Sequence, residues 1–222
     1  MICPRRVYHV GCALNRMSVK VKICGITNPA DARTAVEAGA DLLGFVFHEQ
    51  SPRHVTVSAA GEIARELPPY VAKVGVFVNA PEELVTQAIA ECGLNILQFH
   101  GDEPPAYCVQ FGVMSMKAFR VAGAESLRAL PEYATDAWLL DAFSPGQPGG
   151  TGATFNWNLA IEAQKFGRPI FLAGGLTPEN VAAAVRQVRP FGVDVSSGVE
   201  MAPGRKDAAK VKAFIAAARQ AV

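Results

Sequence analysis

Short apolar runs alternate with amphipathic segments along most of the chain, and from residue 19 onward the alternation repeats eight times. The apolar runs are rich in β-branched and aromatic residues, so we predict them as strands. They span residues 19–25, 41–47, 71–78, 96–100, 115–120, 137–142, 169–173 and 193–197. The intervening segments predict helices, because many open at proline and close at glycine or proline. We place these helices at 29–38, 58–67, 81–93, from 103 onward, around 125–134, at 157–165, from 177 onward and at 207–220.

This alternation predicts an α/β protein with a parallel sheet that helices cover, because the strands are almost continuously apolar. Right-handed crossovers between parallel strands leave two architectures open, a doubly wound open sheet and a closed barrel. Eight strand–helix units in about 200 residues favour the barrel. We therefore predict a single (β/α)8 TIM barrel.

The first 16 residues stand outside the alternating pattern. They contain Arg5, Arg6 and Arg16 but no acidic residue, and Met17 directly precedes the first apolar run. We expect residues 1–16 to be a dispensable extension and residues 17–222 to form the barrel domain.

Charge and cysteine content exclude several classes of function. The chain has 222 residues, with 21 Lys and Arg against 20 Asp and Glu. This balance gives no sign of the basic surface that nucleic-acid-binding proteins carry. No apolar run approaches the ~20 residues that span a bilayer, so we expect no membrane association. The five cysteines include no C-x-x-C pair, which argues against a disulfide framework or zinc site and favours a reducing, cytoplasmic compartment.

Two reactive side chains lie where predicted strands end. Cys24 closes the first strand and Asp141 the sixth, and in a barrel all carboxyl ends of the strands form one mouth. A free cysteine is most often a small buried hydrophobe. A carboxylate beside an apolar strand is costly to bury unpaired, so Asp141 is expected to face the mouth or a partner, where it would suit a general acid.

Three further polar residues belong to the same mouth. Arg53 lies in the loop after the second strand, and its planar fork suits a carboxylate; a solvated surface charge is the alternative interpretation. Gln98 and His100 alternate with Phe99 and therefore share one strand face, which makes them candidates for substrate binding. A lone strand histidine is nevertheless more often structural. The chain offers no His/Asp/Glu cluster for a metal, so we expect neither metal nor cofactor.

Glycine- and serine-rich turns after the last strands predict a phosphate site. Loops 7 and 8 of many barrels hold a phosphate through backbone N–H groups and helix N-termini. Tight turns chosen for positive φ are the simpler reading of the same residues. The candidates are Gly174 and Gly175 after strand 7, Ser196, Ser197 and Gly198 after strand 8, and Gly150, Thr151 and Gly152 in the long loop after strand 6.

Taken together, these segments resemble the phosphoribosylanthranilate isomerases of tryptophan biosynthesis. The matching segments are 21–27 (VKICGIT), 43–47 (LGFVF) with 51–53 (SPR), 97–101 (LQFHG), 139–141 (LLD), 149–152 (GGTG) with 155–157 (FNW), 173–176 (AGGL) and 194–200 (DVSSGVE). They occur in order and cover all but the extension. One departure is Asn156, where the family commonly has aspartate.

The resemblance implies an Amadori rearrangement of N-(5-phosphoribosyl)anthranilate to 1-(2-carboxyphenylamino)-1-deoxyribulose 5-phosphate, without a cofactor. It implies Cys24 as general base and Asp141 as general acid, and we assign the substrate carboxylate to Arg53. A free thiol has a pKa near ~8.5 that apolar burial would raise, and Lys22, two residues back on the same strand face, could shift it. Family members are monomers or homodimers.

Other functions remain open from the residues alone. The nearest are other phosphosugar barrels, namely an indoleglycerol-phosphate synthase, which would use a lysine acid, and a histidine-pathway isomerase, which would use two aspartates. Cys24 at the end of strand 1 argues against both. A barrel that only binds a phosphorylated ligand, and a redox protein that uses Cys24, belong to different classes. The redox function would require a resolving cysteine, yet Cys92 and Cys108 fall in predicted helices.

Overall fold

Eight parallel strands close into a barrel, which confirms the predicted α/β fold class. The computed structural model describes residues 18–142 and 157–221. In chain order the strands are β1 Lys20–Cys24, β2 Leu42–Val46, β3 Ala72–Phe77, β4 Ile96–Phe99, β5 Met114–Val121, β6 Ala137–Ala142, β7 Ile170–Leu172 and β8 Gly192–Val195. Each strand pairs with the next, and β8 pairs with β1 to close the ring.

Helices cover the outside of the barrel. They are α1 Pro29–Glu37, α2 Val57–Arg65, α3 Glu82–Cys92, α4 Pro105–Cys108, α5 Asn158–Gln164, α6 Val181–Val188 and α7 Ala208–Gln220. Side chains of Asn28, Thr56 and Asp207 accept hydrogen bonds from backbone N–H groups in the first turns of α1, α2 and α7. Gly93, with φ of 58°, ends α3 in the left-handed conformation. None of the helices within the described ranges is long and apolar enough to cross a membrane.

Strand alternation divides the apolar core into two layers. Outward-facing residues such as Phe45, Phe99 and Trp138 pack against the helices. Inward-facing residues fill the barrel with a second cluster, which includes Leu42, Val74, Met116, Leu139 and Phe171. Because the period of a strand is two, a residue whose neighbours point outward must itself point into the barrel.

Two local predictions were wrong, and one element was not predicted. The segment 125–134 forms two short 3-10 turns, Ala124–Leu127 and Leu130–Glu132, because Pro131 cannot continue a helix. Strand β8 ends at Val195, and the next residues form a 3-10 turn over Ser197–Val199. The loop that follows contains an unpredicted hairpin of β9 Glu200–Ala202 and β10 Arg205–Lys206.

The last helix fastens the amino-terminal end of the barrel. Arg219 of α7 donates to the carbonyl oxygen of Val19 at 2.8 Å and to Oδ2 of Asp41 at 2.7 Å. The same carboxylate oxygen accepts from the backbone N–H of Val21 at 2.8 Å. One arginine therefore joins the end of the chain to the start of β1 and β2.

We expect Arg219→Ala to lower the free energy of unfolding by about 1.5–3 kcal/mol, because charge-assisted hydrogen bonds at a half-buried position are lost. Arg128→Ala is the matched control, since Arg128 forms an exposed ion pair with Glu125 and a surface pair is worth about 0–1 kcal/mol. Urea unfolding of the two variants measures the difference. Equal losses would show that Arg219 is an ordinary surface residue.

Candidate active site

Several polar side chains converge at the carboxyl ends of the strands. Cys24 is the last residue of β1, and Asp141 is the fifth residue of β6, between outward-facing Leu140 and the strand end. Gln98 lies on the inner face of β4 because Leu97 and Phe99 belong to the outer cluster. These side chains therefore share the barrel mouth, at the end where the chemistry of this fold is found.

Cys24 lies against a glycine on the neighbouring strand. The residue is buried, with 7% of its surface exposed, and Gly44 is its partner in the β1–β2 register. A Cβ at position 44 would come within 2.8 Å of Sγ of Cys24 and within 3.0 Å of Nζ of Lys22. Glycine therefore leaves the space in which the thiol and the ammonium group lie side by side.

Lys22 is a fully buried charge inside the barrel. Its Nζ donates to Oδ1 of Asp194 at 2.8 Å, and the two residues are partners in the β1–β8 register. Burial lowers the pKa of Lys22, but the charges of Asp194 and of the Cys24 thiolate outweigh burial and raise it. Lys22 is therefore a fixed cation beside Cys24.

The thiol itself is subject to opposing influences. Burial raises the pKa of Cys24 above its ordinary value and dominates the sum. The charge of Lys22 acts against burial, Asp194 acts with burial, and Lys206 adds a smaller contribution that favours the thiolate. The thiolate is thus costly in this position, and the neighbouring cations reduce the cost.

Asp141 belongs to a chain of three polar side chains. Nε2 of His100 lies 3.4 Å from Oδ2 of Asp141, and Nδ1 of the same ring lies 3.0 Å from the amide nitrogen of Gln98. When that amide donates to Nδ1, the proton of the neutral ring is on Nε2 and points at Asp141. Within the described ranges, the buried Oε1 of Gln98 has no hydrogen-bond partner.

Arg53 approaches the end of β1 from the loop after β2. Its Cδ lies 2.6 Å from the position a Cβ would take at Gly25, whose φ is 76°. Nε and Nη2 of Arg53 donate to the two oxygens of Glu200 at 2.9 and 2.8 Å. Nζ of buried Lys206 donates to Oε1 of the same carboxylate at 2.8 Å. Glu200 thereby fixes Arg53 next to Cys24 and Ser196 and leaves Nη1 outside this ion pair.

The predicted phosphate loops lie against each other. Gly174 and Gly175 follow β7 with φ of 82° and 64°, a conformation that favours glycine. A Cβ at Gly198 would clash with the carbonyl oxygen of Leu176, so the loops after β7 and β8 are in direct contact. Ser196 donates its hydroxyl to the carbonyl oxygen of Cys24 at 3.1 Å, which joins this region to β1. Gly150, Thr151 and Gly152 lie outside the described residues.

Among the described residues, no metal-ligating cluster forms and the thiols other than Cys24 lie on the outer side of the barrel. Within residues 18–142 and 157–221, no group of three or more His, Cys, Asp or Glu side chains is arranged to hold a metal ion. Cys92 and Cys108 are free thiols on α3 and α4, and burial raises the pKa of each to about 11. Neither lies in the mouth with Cys24.

Comparison with known proteins identifies the family. Residues 21–217 match the family model described as N-(5'phosphoribosyl)anthranilate (PRA) isomerase. The chain belongs to the phosphoribosylanthranilate isomerase family. The resemblance recognised in the sequence is confirmed, and with it the assignment as an isomerase.

Other members of the isomerase family share most of their length with this chain. The N-(5'-phosphoribosyl)anthranilate isomerase of Trichlorobacter lovleyi is 56% identical over 204 residues, which are 92% of this chain and all of the relative. That of Citrifermentans bemidjiense is 58% identical over 201 residues, 90% of this chain and 97% of the relative. The phosphoribosyl anthranilate isomerase of Thermotoga maritima superimposes with a TM-score of 0.85 at 43% identity and covers 91% of this chain and 99% of its own.

Sequence reasoning missed the partners of the predicted site residues. Asp194, Glu200 and Lys206 each hold a charge at the mouth, yet none was assigned a role of its own. Asp194 had a usable signal, because it interrupts the apolar strand Gly192–Val195 on the same face as Gly192. For Glu200 and Lys206 the sequence carries no such signal, because the hairpin that brings them together was not predicted.

We expect Glu200→Gln to lower the free energy of unfolding near neutral pH by about 3 kcal/mol, because it leaves two buried or half-buried cations without their carboxylate. Burial raises the pKa of Glu200, but Arg53 and Lys206 outweigh it and hold the pKa below the ordinary 4.5. The stabilisation is therefore present above pH 4.5 and is lost as pH falls through the lower folded-state pKa.

The loss caused by Glu200→Gln should shrink accordingly in acid, where Glu200 of the parent is also neutral. Urea unfolding across this range measures it. Glu66→Gln is the control, since Glu66 is exposed and lies 3.9 Å from Arg33. A constant difference at every pH would show that the carboxylate charge contributes nothing.

Proposed function

We propose that the chain converts N-(5'-phosphoribosyl)anthranilate to 1-(2-carboxyphenylamino)-1-deoxyribulose 5-phosphate by general acid–base catalysis. Membership of the isomerase family supports the substrate and the reaction. The observation that carries the mechanism is a thiol and a carboxylate on the inner faces of β1 and β6, at the same end of one closed barrel. An aldose–ketose rearrangement needs two groups that exchange protons with different substrate atoms.

Asp141 is the proposed general acid. Its proton goes to the ring oxygen of the ribose, the bond from that oxygen to C1 breaks, and the anilino nitrogen supplies the electrons that form the Schiff base. His100 at 3.4 Å holds the carboxyl group in a defined orientation, and Gln98 orients the histidine ring. Gln98 and His100, the proposed substrate-binding residues, would thus also position the acid.

Cys24 is the proposed general base. Its thiolate removes the proton from C2 of the Schiff base, and the electrons of that bond move towards the nitrogen to give an enolamine. Protonation at C1 and loss of the C2 hydroxyl proton then give the ketone. Each positioned proton transfer contributes about 10²–10⁴-fold to the rate, so both side chains are needed.

Anions at the two ends of the substrate fix it across the mouth. Arg53 is proposed to bind the anthranilate carboxylate through the part of its guanidinium group that Glu200 leaves available. Gly174 and Gly175 after β7, with Ser196, Ser197 and Gly198 after β8, are proposed to bind the phosphate. A solved isomerase complex, 42% identical to this chain, is described with reduced 1-(o-carboxyphenylamino)-1-deoxyribulose 5-phosphate, which carries both anions.

We further propose that residues 17–222 form one barrel domain and that residues 1–16 are dispensable. The protein is proposed to be a monomer or a homodimer. A solved relative from Thermotoga maritima is described as dimeric, and the family match begins only at residue 21. We also propose a cytoplasmic location, since a general base at Cys24 requires a thiol that stays reduced.

We expect Cys24→Ala and Asp141→Ala each to lower kcat by about 10²–10⁴-fold, because each removes one proton transfer. The loss of substrate fluorescence measures the rate on purified protein. Cys92→Ala is the matched control, because that thiol lies on the outer side of the barrel and should leave kcat unchanged. Full activity of either active-site variant would refute the mechanism. Binding without turnover by the parent protein would favour the binding-only alternative.

We expect Arg53→Ala to remove the preference for a carboxylated ligand. The parent should bind the reduced product analogue about 10–100-fold more tightly than the same compound without its carboxylate, because a hydrogen bond between ions is lost. The variant should bind the two compounds equally, as isothermal titration would show. A preference that survives in Arg53→Ala would assign the carboxylate to another residue.

A further inference from the structure

One buried charge has no role in the reaction as described so far. Lys22 is inaccessible to solvent inside the barrel, and its Nζ donates to Oδ1 of Asp194 at 2.8 Å. Removing two charges from water costs several kcal/mol per ion, so a buried ion pair adds little to the free energy of unfolding by itself. Apolar side chains fill the neighbouring interior layer at lower cost. Stability alone therefore does not explain why Lys22 and Asp194 are buried together.

Geometry connects the pair to the catalytic thiol. Lys22 and Cys24 point to the same side of β1, and both lie over Gly44 of β2 at distances that leave no room for a Cβ. Asp194 lies on the opposite side, on β8, directly across the strand register from Lys22. The ammonium group thus lies between a carboxylate and a thiol.

We propose that Lys22 is a positioning residue that stabilises the thiolate of Cys24, and that Asp194 holds its ammonium group in place. The proposal rests on the proposed function of Cys24 as the base. The thiol loses its proton to solvent before substrate binds, Lys22 keeps all its protons, and the thiolate later accepts the proton from C2. Lys22 transfers no proton itself.

The charges around Cys24 set the direction of every effect. Lys22 of β1, Lys206 of β10 and Arg53 of the loop after β2 are the cations that face the thiol, and Asp194 of β8 is the anion. Burial raises the pKa of Cys24, Lys22 is the largest influence that lowers it, and Asp194 raises it. Removing the ammonium charge must therefore move the thiol titration upward, whereas neutralising Asp194 must move it downward.

Two variants test these opposite signs. Lys22→Met removes the charge and keeps an unbranched side chain, and Asp194→Asn keeps the shape and an oxygen acceptor for Lys22. We expect Lys22→Met to move the rising limb of the kcat/KM profile at least about one pH unit upward, and Asp194→Asn to move it downward. The ultraviolet absorbance of the thiolate, taken as the difference from Cys24→Ala, should show the same shifts without turnover.

Lys117→Met is the control for the loss of a buried lysine. Lys117 is 3% exposed and pairs with Glu103 at 3.2 Å on the outer side of β5, away from Cys24. Lys117→Met should lower the free energy of unfolding but leave both the kcat/KM profile and the titration of the thiolate absorbance unchanged. If Lys22→Met fails to fold, the downward shift in Asp194→Asn still decides the question.

Unmoved titrations in the Lys22 and Asp194 variants, or shifts of both in one direction, would overturn the proposal. Failure of the proposed function looks different. In that case Cys24→Ala would remain active, while the thiolate absorbance would still shift with the Lys22 and Asp194 substitutions. The kcat/KM profile could also stay unchanged while the thiolate absorbance shifts. Lys22 would then change the pKa of Cys24 without affecting catalysis, which also contradicts the proposal.

Discussion

The salt bridge between Lys22 and Asp194 crosses the seam at which β8 closes against β1, and the site depends on it in two ways. A slip of one residue in either strand would turn these side chains outward and break the pair, so the bridge holds the register of the closing strands. The same register brings Lys22 and Cys24 onto the inner face together. The same strand pairing therefore closes the barrel and places a positive charge beside the thiol.

The mouth is divided into two electrostatic halves. On the β1–β8 side, Lys22, Arg53 and Lys206 surround the thiol and are balanced by Asp194 and Glu200. On the β4–β6 side, Gln98, His100 and Asp141 form a chain of hydrogen-bonding groups. A thiol acts as a base only as the thiolate, which nearby cations stabilise, and a general acid must be held in a defined orientation, so each half suits the role proposed for it.

The sequence was sufficient for the architecture and for the position of the two reactive groups. Eight repeats of a period-two strand and a helix leave few other folds, and alternation along β1 and β6 sends Cys24 and Asp141 inward. It was insufficient where structure depends on distant partners. Glu200 meets Arg53 across 147 residues and Asp194 meets Lys22 across 172, and no local pattern marks such pairs. The helix predicted around 125–134 was wrong for a local reason instead, because Pro131 interrupts the segment.

The most direct test of the whole account is a crystal structure of this protein with the reduced product analogue. The account requires C2 of the bound sugar within about 3–3.5 Å of Sγ of Cys24, the distance of a near-attack geometry, with Asp141 on the side of the former ring oxygen. The carboxylate should meet Arg53, and the phosphate should lie between the loops after β7 and β8. A complex in which C2 faces His100 and lies beyond reach of Cys24 would contradict the account.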